Sequence, residues 1–208
     1  MTDTKEKILS TALHLFARDG YEAVSVSAIA GELGMTKGAL YKHYKNKRDI
    51  FDSIISRMYQ SDSESSQEHG VPAEKFDSEP ESYRSVSPDN VREFTISQYR
   101  FWTEEPFAVD FRRMLTLEQY RSSEMSELYS SCLAEGPAAY MEDIFREMIS
   151  RGILKEADPR QLAYEYYAPF FLLVNVSDRS GVSQSNLSIL TNQIGEFFRR
   201  YSPEPTKE

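Results

Sequence analysis

Between Ser25 and Leu40 the chain sets two short helical patterns on either side of a turn only two or three residues long. Ser25 is a good N-cap, and Val26, Ile29, Ala30 and Leu33 follow at helical spacing before Gly34 closes the pattern. A glycine there can take the left-handed conformation that ends a helix. Thr36 offers a second cap almost at once, and Leu40 is the apolar anchor of the next short helix. Few folds accommodate two helices joined so tightly. The spacing is that of a helix-turn-helix, in which the first helix braces and the second lies in the DNA major groove. Gly38 and Ala39 fall on the first turn of the second helix. A glycine in a helix costs up to about 1 kcal/mol relative to alanine, so Gly38 marks either a close backbone approach to DNA or simple tolerance.

Charge supports the first of these readings. Between Met35 and Arg48 stand five basic residues (Lys37, Lys42, Lys45, Lys47, Arg48), no acid, and the rings of Tyr41, His43 and Tyr44. The chain as a whole carries -9, so this local surplus opposes its composition. Cations interleaved with amphipathic rings suit a phosphate surface, because they replace condensed counterions; a merely solvated lysine-rich face is the competing reading. A third helix begins near Asn46, a plausible cap, and runs through Ile50, Phe51, Ile54, Ile55 and Met58. Lys47 and Arg48 in its first turn oppose the helix dipole, a cost explained if a phosphate docks there. Upstream, Ile8, Leu9, Ala12, Leu15 and Phe16 share one face of an amphipathic helix, with Asp3 and Glu6 at capping-box spacing and Asp19-Gly20 as its stop. Tyr21 then packs beneath the bundle.

On these residues, 5 to 58 resemble the DNA-binding domain of the tetracycline-repressor (TetR) family of bacterial transcription regulators. The resemblance rests on Ile8, Ala12, Phe16, Gly20-Tyr21, the run Ser25 to Ala30, Gly34 to Tyr41, and His43 to Lys47. It implies that Ser25, Lys37, Gly38, Tyr41, His43 and Lys47 contact operator DNA, chiefly its phosphates, and that Lys42 faces the groove. Ser27, Thr36 and Ala39 complete the expected DNA-facing set. Two positions depart from the family pattern. Val24 and Ala39 each replace a frequent threonine, and at Ala39 a hydroxyl-to-phosphate bond is missing.

The remaining sequence constrains the answer differently. At 208 residues the chain can form one small and one larger helical domain, expected as residues 1–47 (helix-turn-helix) and 48–208 (effector binding and dimerisation) in an all-α fold. Cys132 is the single cysteine, which excludes an internal disulfide and fits a reducing cytoplasm. It is either a buried structural thiol or a redox sensor. No signal peptide is expected at the start, and the longest apolar run, Phe170 to Val174, cannot span a bilayer. Through residue 60, nine basic residues face seven acids, so the domain carries +2 and the body the remaining -11. Only the amino-terminal part suits DNA.

From Ser61 to Pro88 the chain is rich in Ser, Glu and Pro; the helix entering from residue 58 can run on for several residues, and from about Gly70 the stretch is expected to form a flexible loop or a cover over a pocket. From Asp89 onward everything is helical. Val91, Phe94, Gln98, Phe101 and Trp102 form one stripe, and Phe107, Phe111, Met114 and Leu115 the next. A long or broken helix over 124–151 is interrupted at Gly136-Pro137, and a helix starting at Asp158-Pro159 is bent by Pro169. After a turn at Arg179-Ser180-Gly181 comes a final helix, ahead of a Ser-Pro-Glu-Pro tail.

The last two helices are apolar on more than one side, so they pair either internally or with a second copy of the chain. The homodimer expectation places Tyr166, Phe170, Phe171, Leu190, Ile194 and Phe197 at the interface, and a twofold dimer suits a palindromic operator. TetR-like regulators commonly bind a small molecule in the second domain and then leave DNA. That resemblance implies an effector of unknown identity, and Phe101, Trp102, Phe111, Tyr120, Phe145, Tyr164 and Tyr167 are its candidate contacts. His14, His43 and His69 lie in separate elements, and no metal spacing, phosphate loop or nucleophile elbow occurs. No catalytic, cofactor or metal site is therefore expected. The alternative is a dimeric small-molecule-binding protein with a purely structural helix-turn-helix.

Overall fold

The computed structural model describes residues 4–180 and 184–203. Eleven helices and no strand are present among them: α1 (Thr4–Asp19), α2 (Val26–Glu32), α3 (Lys37–Leu40), α4 (Lys47–Glu68), α5 (Pro80–Arg84), α6 (Pro88–Glu104), α7 (Pro106–Glu118), α8 (Ser123–Leu133), α9 (Glu135–Ser150), α10 (Pro159–Ser180) and α11 (Gln184–Tyr201). Asp3 and Gly181, expected at a cap and a turn, lie outside the described residues, as does the tail beyond Pro203.

The chain forms two compact units, and the first is discontinuous. It comprises the chain through Ser61 together with Glu105–Tyr129, where the sequence placed a single border after residue 47. The reason is α7, which packs along α1 and fills the same core. Ile8, Ala12, Leu13 and Phe16 of α1 are fully buried with Ile29, Leu40, Ile50, Phe51 and Ile54, and α7 adds Ala108, Phe111, Met114 and Leu115. Helix α1 therefore has apolar residues on two sides, Leu13 being the one its single stripe did not include. Burying each large aliphatic or aromatic side chain contributes roughly 1.5–3 kcal/mol, so α7 is an integral part of this core.

The second unit comprises Asp62–Glu104 and Ser130 onward. Its core joins Val91 and Tyr99 of α6, Met141, Ile144, Phe145 and Met148 of α9, Leu162, Ala163 and Tyr166 of α10, and Leu190, Ile194 and Phe197 of α11. Thr95 and Tyr166 hydrogen bond across it at 2.8 Å. On α6 the buried stripe is Val91, Thr95, Gln98, Tyr99 and Thr103, with Phe94, Phe101 and Trp102 only partly covered. The helix is rotated from the aromatic stripe because two threonines bond back to their own helix at 2.7–2.8 Å and pass as apolar inside the core.

The polar segment 61–88 is more ordered in architecture than its composition suggested. Helix α4 continues to Glu68, Tyr83 of α5 is 1% exposed and Val86 fully buried. The Tyr83 hydroxyl donates to the Glu74 carbonyl at 2.9 Å, and its ring meets Phe76 edge-on at 5.2 Å. Val71, Phe76, Tyr83 and Val86 are too widely spaced to show a helical or strand period, yet each is an anchor. The helix end falls where the sequence allowed it, and the loop expected from about Gly70 is corrected to an anchored connection carrying α5.

The break between α8 and α9 falls at Ala134, just before the expected Gly136-Pro137. Pro137 sits in the first turn of α9, where its missing N–H removes no helical bond. A Cβ on Gly136 would stand 1.9 Å from the Ser131 carbonyl oxygen, so only glycine lets the two helix ends approach this closely.

Candidate nucleic-acid interface

The turn geometry follows from three capping groups. Ser25 Oγ accepts a hydrogen bond from the Ala28 N–H and Thr36 Oγ1 accepts one from the Ala39 N–H, each at 3.1 Å. Between them Gly34 has φ +63°, with its N–H bonded to the Gly31 carbonyl and the Met35 N–H bonded to that of Ala30. This closes α2 without stranding its last carbonyls. Leu40 is fully buried and pins α3 to the bundle. Asn46 Oδ1 accepts from the Asp49 N–H at 2.9 Å while Asp49 Oδ2 accepts from the Lys45 N–H at 2.8 Å. That reciprocal pair caps α4 as a capping box does.

Pinned this way, α3 and its flanks turn their polar side outward. Ser25, Ser27, Thr36, Lys37, Gly38, Tyr41 and Lys42 are exposed, and Ala39 and His43 are partly so. The Lys37 ammonium lies 5.6 Å from the Tyr41 ring centroid. Nothing stands within 4 Å of a Cβ built at Gly38; the free protein gives no steric reason for that glycine.

The five cations divide into two sets. Lys37, Lys42 and Lys45 are exposed, with no carboxylate partner among the described residues. Lys47 instead donates to the Tyr21 carbonyl at 2.8 Å and lies 4.2 Å from the Tyr21 ring centroid, its side chain 22% exposed. Arg48 is held by Asp52 at 2.7 Å and Glu124 at 2.6 Å. These hydrogen bonds, Glu124's first, raise the Arg48 pKa further and lower that of Glu124. Internal partners thus explain both cations at the start of α4, where the sequence suggested a phosphate. Tyr44, counted among the ring side chains of the basic run, is a core residue at 6% exposure whose hydroxyl points to the Lys5 carbonyl at 3.4 Å.

The candidate effector contacts are divided between the two units, Phe111 and Tyr120 falling in the first and the others in the second. Phe111 is 1% exposed in the core of the first unit, and Tyr120 is 89% exposed beyond α7. Phe145 is fully buried between Tyr166 and Phe197, with ring centroids 5.3 and 5.1 Å away. Tyr164 is exposed on α10, and Tyr167 bonds the Leu133 carbonyl at 2.8 Å while stacking on Phe170. Phe101 and Trp102 meet edge-on at 5.4 Å. Aromatic density marked core as readily as cavity. A group the sequence passed over lies in the second unit, where Asp62 near the end of α4 accepts from Gln98 Nε2 at 3.2 Å.

The expected dimer residues are also relocated. Tyr166, Phe170, Leu190, Ile194 and Phe197 are each 1–7% exposed within a single chain, and Phe171 is partly covered. They belong to the internal core. The apolar residues that α10 and α11 leave outside are Leu172 at 61%, Val176 at 41% and Ile189 at 52%. Both helices carry two apolar faces, and sequence periodicity cannot say which one turns inward.

Two capped short helices joined at a left-handed glycine, with an outward cationic side on the second, form a helix-turn-helix. The family model for "Bacterial regulatory proteins, tetR family" matches residues 8–54, so this part of the chain belongs to that family's amino-terminal domain. It is 45% identical over 50 residues to the uncharacterized HTH-type transcriptional regulator YerO of Bacillus subtilis and 42% over 52 residues to the HTH-type transcriptional regulator AcrR of Shigella flexneri. These stretches cover 24% and 25% of this chain but only 17% and 24% of those proteins. The chain thus spans a quarter or less of the relatives' length. Beyond that region the likeness is one of fold. SmeT, the repressor of the Stenotrophomonas maltophilia multidrug efflux pump SmeDEF, superposes with TM-score 0.65 at 18% identity over 100% of this chain and 94% of that one. PfmR of Thermus thermophilus gives 0.65 at 20% identity over 99% and 100%, and a SmeT–triclosan complex gives 0.68 at 18% over 99% of each. No helix among the described residues is long and apolar enough to cross a membrane.

Proposed function

We propose that the protein is a ligand-responsive repressor that binds a palindromic operator as a homodimer. The observation that carries this reading is the unpaired set Lys37, Lys42 and Lys45 beside the exposed Gly38 on a rigidly capped α3. Phosphate contacts from these lysines position the helix, and the open Gly38 backbone allows a close approach to the duplex. Leu172, Val176 and Ile189 support a twofold pairing through α10 and α11, since each is a large apolar side chain left outside its own core. Fold likeness to SmeT, whose structure with triclosan is known, supports a small-molecule effector in the second unit. Coupling of about 1–3 kcal/mol between effector and DNA suffices for a useful switch.

Fluorescence anisotropy on a labelled palindrome, titrated over salt, tests the reading. The expected result is saturable binding by a dimer, steeply weakened by salt and tighter than on scrambled duplex. Absence of duplex binding at low ionic strength overturns it. Leu172→Lys with Ile189→Lys is expected to give monomers in sedimentation and to lose the operator; an unchanged dimer removes α10 and α11 from the interface.

A further inference from the structure

The first turn of α4 is tied to residues 105–129 along two routes, both inside the first unit. Lys47 donates to the Tyr21 carbonyl at 2.8 Å, and the N–H of the same tyrosine donates to Glu118 of α7 at 3.0 Å. Arg48, the next residue, donates through Nε to Asp52 at 2.7 Å and through Nη2 to Glu124 at 2.6 Å. Its guanidinium also lies 5.4 Å from the Phe51 ring centroid. Asp52 is one turn along the same helix, so that bond orients the guanidinium without fixing α4 against anything else. Glu124, in the first turn of α8 and 76 residues away in sequence, fastens α4 to a second element. Further along, Arg57 lies 3.9 Å from the Phe107 ring centroid of α7, so α4 is held to this segment at both ends of its buried stretch.

The first turn of α4 in turn governs α3. Residues 41–46 alone join the two helices, and the bonds from the Lys45 N–H to Asp49 and from the Asp49 N–H to Asn46 lock that link to the helix start. A tilt of the turn therefore carries the exposed Lys42 and Lys45 with it. A binding surface works only when the groups behind it hold its side chains in register. Arg48 stands in the same basic run as these lysines, yet carboxylates take its donors, whereas Lys37, Lys42 and Lys45 have no such partner among the described residues.

We propose that Glu124 is a positioning residue for DNA binding: through Arg48 it holds the first turn of α4, and with it α3, where the exposed lysines meet phosphate. The proposal rests on the DNA-binding reading and adds to it a residue from outside the helix-turn-helix. The sign of one substitution separates positioning from simple electrostatics. Removing a surface carboxylate from a chain of net charge -9 strengthens its attraction to a polyanion. Losing a positioning contact weakens binding instead.

The test is anisotropy of the full-length protein and its variants on a labelled palindromic duplex, over a series of salt concentrations. Glu124→Ala is expected to bind about threefold to fivefold more weakly, the scale of an exposed ion pair, with an unchanged log–log salt slope. Arg48→Ala is expected to lose a similar amount, and the double variant no more than either single change, as residues acting through one contact do. Glu124→Gln keeps an acceptor oxygen and is expected to recover part of the loss. Glu127→Ala removes an exposed carboxylate of the same helix that has no partner among the described residues, and is expected to bind equally well or more tightly. Hydrogen exchange of the free protein gives a readout without DNA: amides of residues 41–50 are expected to exchange faster in Glu124→Ala, with those of α1 unchanged.

Unchanged or tighter binding by Glu124→Ala, additive losses in the double variant, or exchange that is unaltered or raised evenly through the first unit each overturns the proposal. So does a salt slope reduced by about 0.9 in Arg48→Ala, which would make Arg48 a phosphate contact. A native chain that binds no duplex overturns the DNA-binding reading together with this one, whereas native binding that ignores Glu124 removes this one alone.

Discussion

Glu118, at the end of α7 and 2% exposed, accepts a hydrogen bond from the Tyr21 backbone N–H at 3.0 Å, across 97 residues of sequence. Arg121 flanks the carboxylate at 3.5 Å. The bond fixes the exit from α1 against α7, just where Lys47 grips the Tyr21 carbonyl from the other side. Both polar groups of one peptide segment are thereby answered by charged side chains from distant elements.

Glu118→Ala is therefore expected to destabilise the first unit by about 1–3 kcal/mol, because the Tyr21 N–H is deprived of a charged acceptor in a buried place. Glu118→Gln keeps an acceptor oxygen and should be the milder change. Thermal unfolding followed by circular dichroism checks the order, and equal destabilisation in both variants would remove the hydrogen bond as the cause.

The two sets of cations should behave differently. Lys37→Ala and Lys42→Ala are expected to leave unfolding unchanged, weaken binding to every duplex, and reduce the log–log salt slope by roughly 0.9 for each phosphate no longer neutralised. Lys47→Ala is expected to lower thermal stability as well, since its ammonium holds Tyr21. Paired melting and salt-titration curves on the three variants distinguish the sets.

Two glycines should give opposite results. Gly38→Ala meets open space in the free protein and is expected to be neutral or stabilising by up to about 1 kcal/mol, while weakening duplex binding. Gly136→Ala places a methyl 1.9 Å from the Ser131 carbonyl and is expected to lower the melting temperature markedly. Retention of full DNA affinity by Gly38→Ala would show that the duplex does not approach that backbone.

Asp62 predicts a pH dependence of stability. Loss of solvation raises its pKa, with the Gln98 hydrogen bond partly opposing. The folded state then holds the proton more tightly than the unfolded chain, whose aspartate titrates near 3.8. Stability contributed by the neutral form is fully present below that value and is lost as pH rises through the folded pKa. Asp62→Asn is thus expected to be more stable than the native chain at neutral pH and to converge with it in acid. Denaturant unfolding at a series of pH values checks this, and a constant difference would assign the effect elsewhere.

The helix-turn-helix was legible because its signals are local. Ser25, Gly34 and Thr36 each act within four residues of chain, and each serves in the structure as its chemistry requires. What stayed hidden depends on partners far along the sequence. Phe111 reads as one more aromatic until α7 is found against α1, and Tyr83 looks like part of a polar linker until Glu74 and Phe76 are seen around it. For α10 and α11 the difficulty was excess of signal, since Phe170 and Leu172 are equally apolar and only packing sorts the 7%-exposed one from the 61%-exposed one. Asp62 was overlooked because its neighbours in sequence are serines and acids, whereas its partner in space is Gln98, 36 residues away.

The split make-up of the first unit limits how this protein can be dissected. A fragment cut after Ser61 would carry every side chain proposed to face DNA but lack residues 105–129, leaving one flank of α1 uncovered and the Tyr21 amide without its carboxylate. Chimeras that graft a foreign sensor behind a portable amino-terminal cassette must carry the α7 segment with it, or the reading head will not hold its shape.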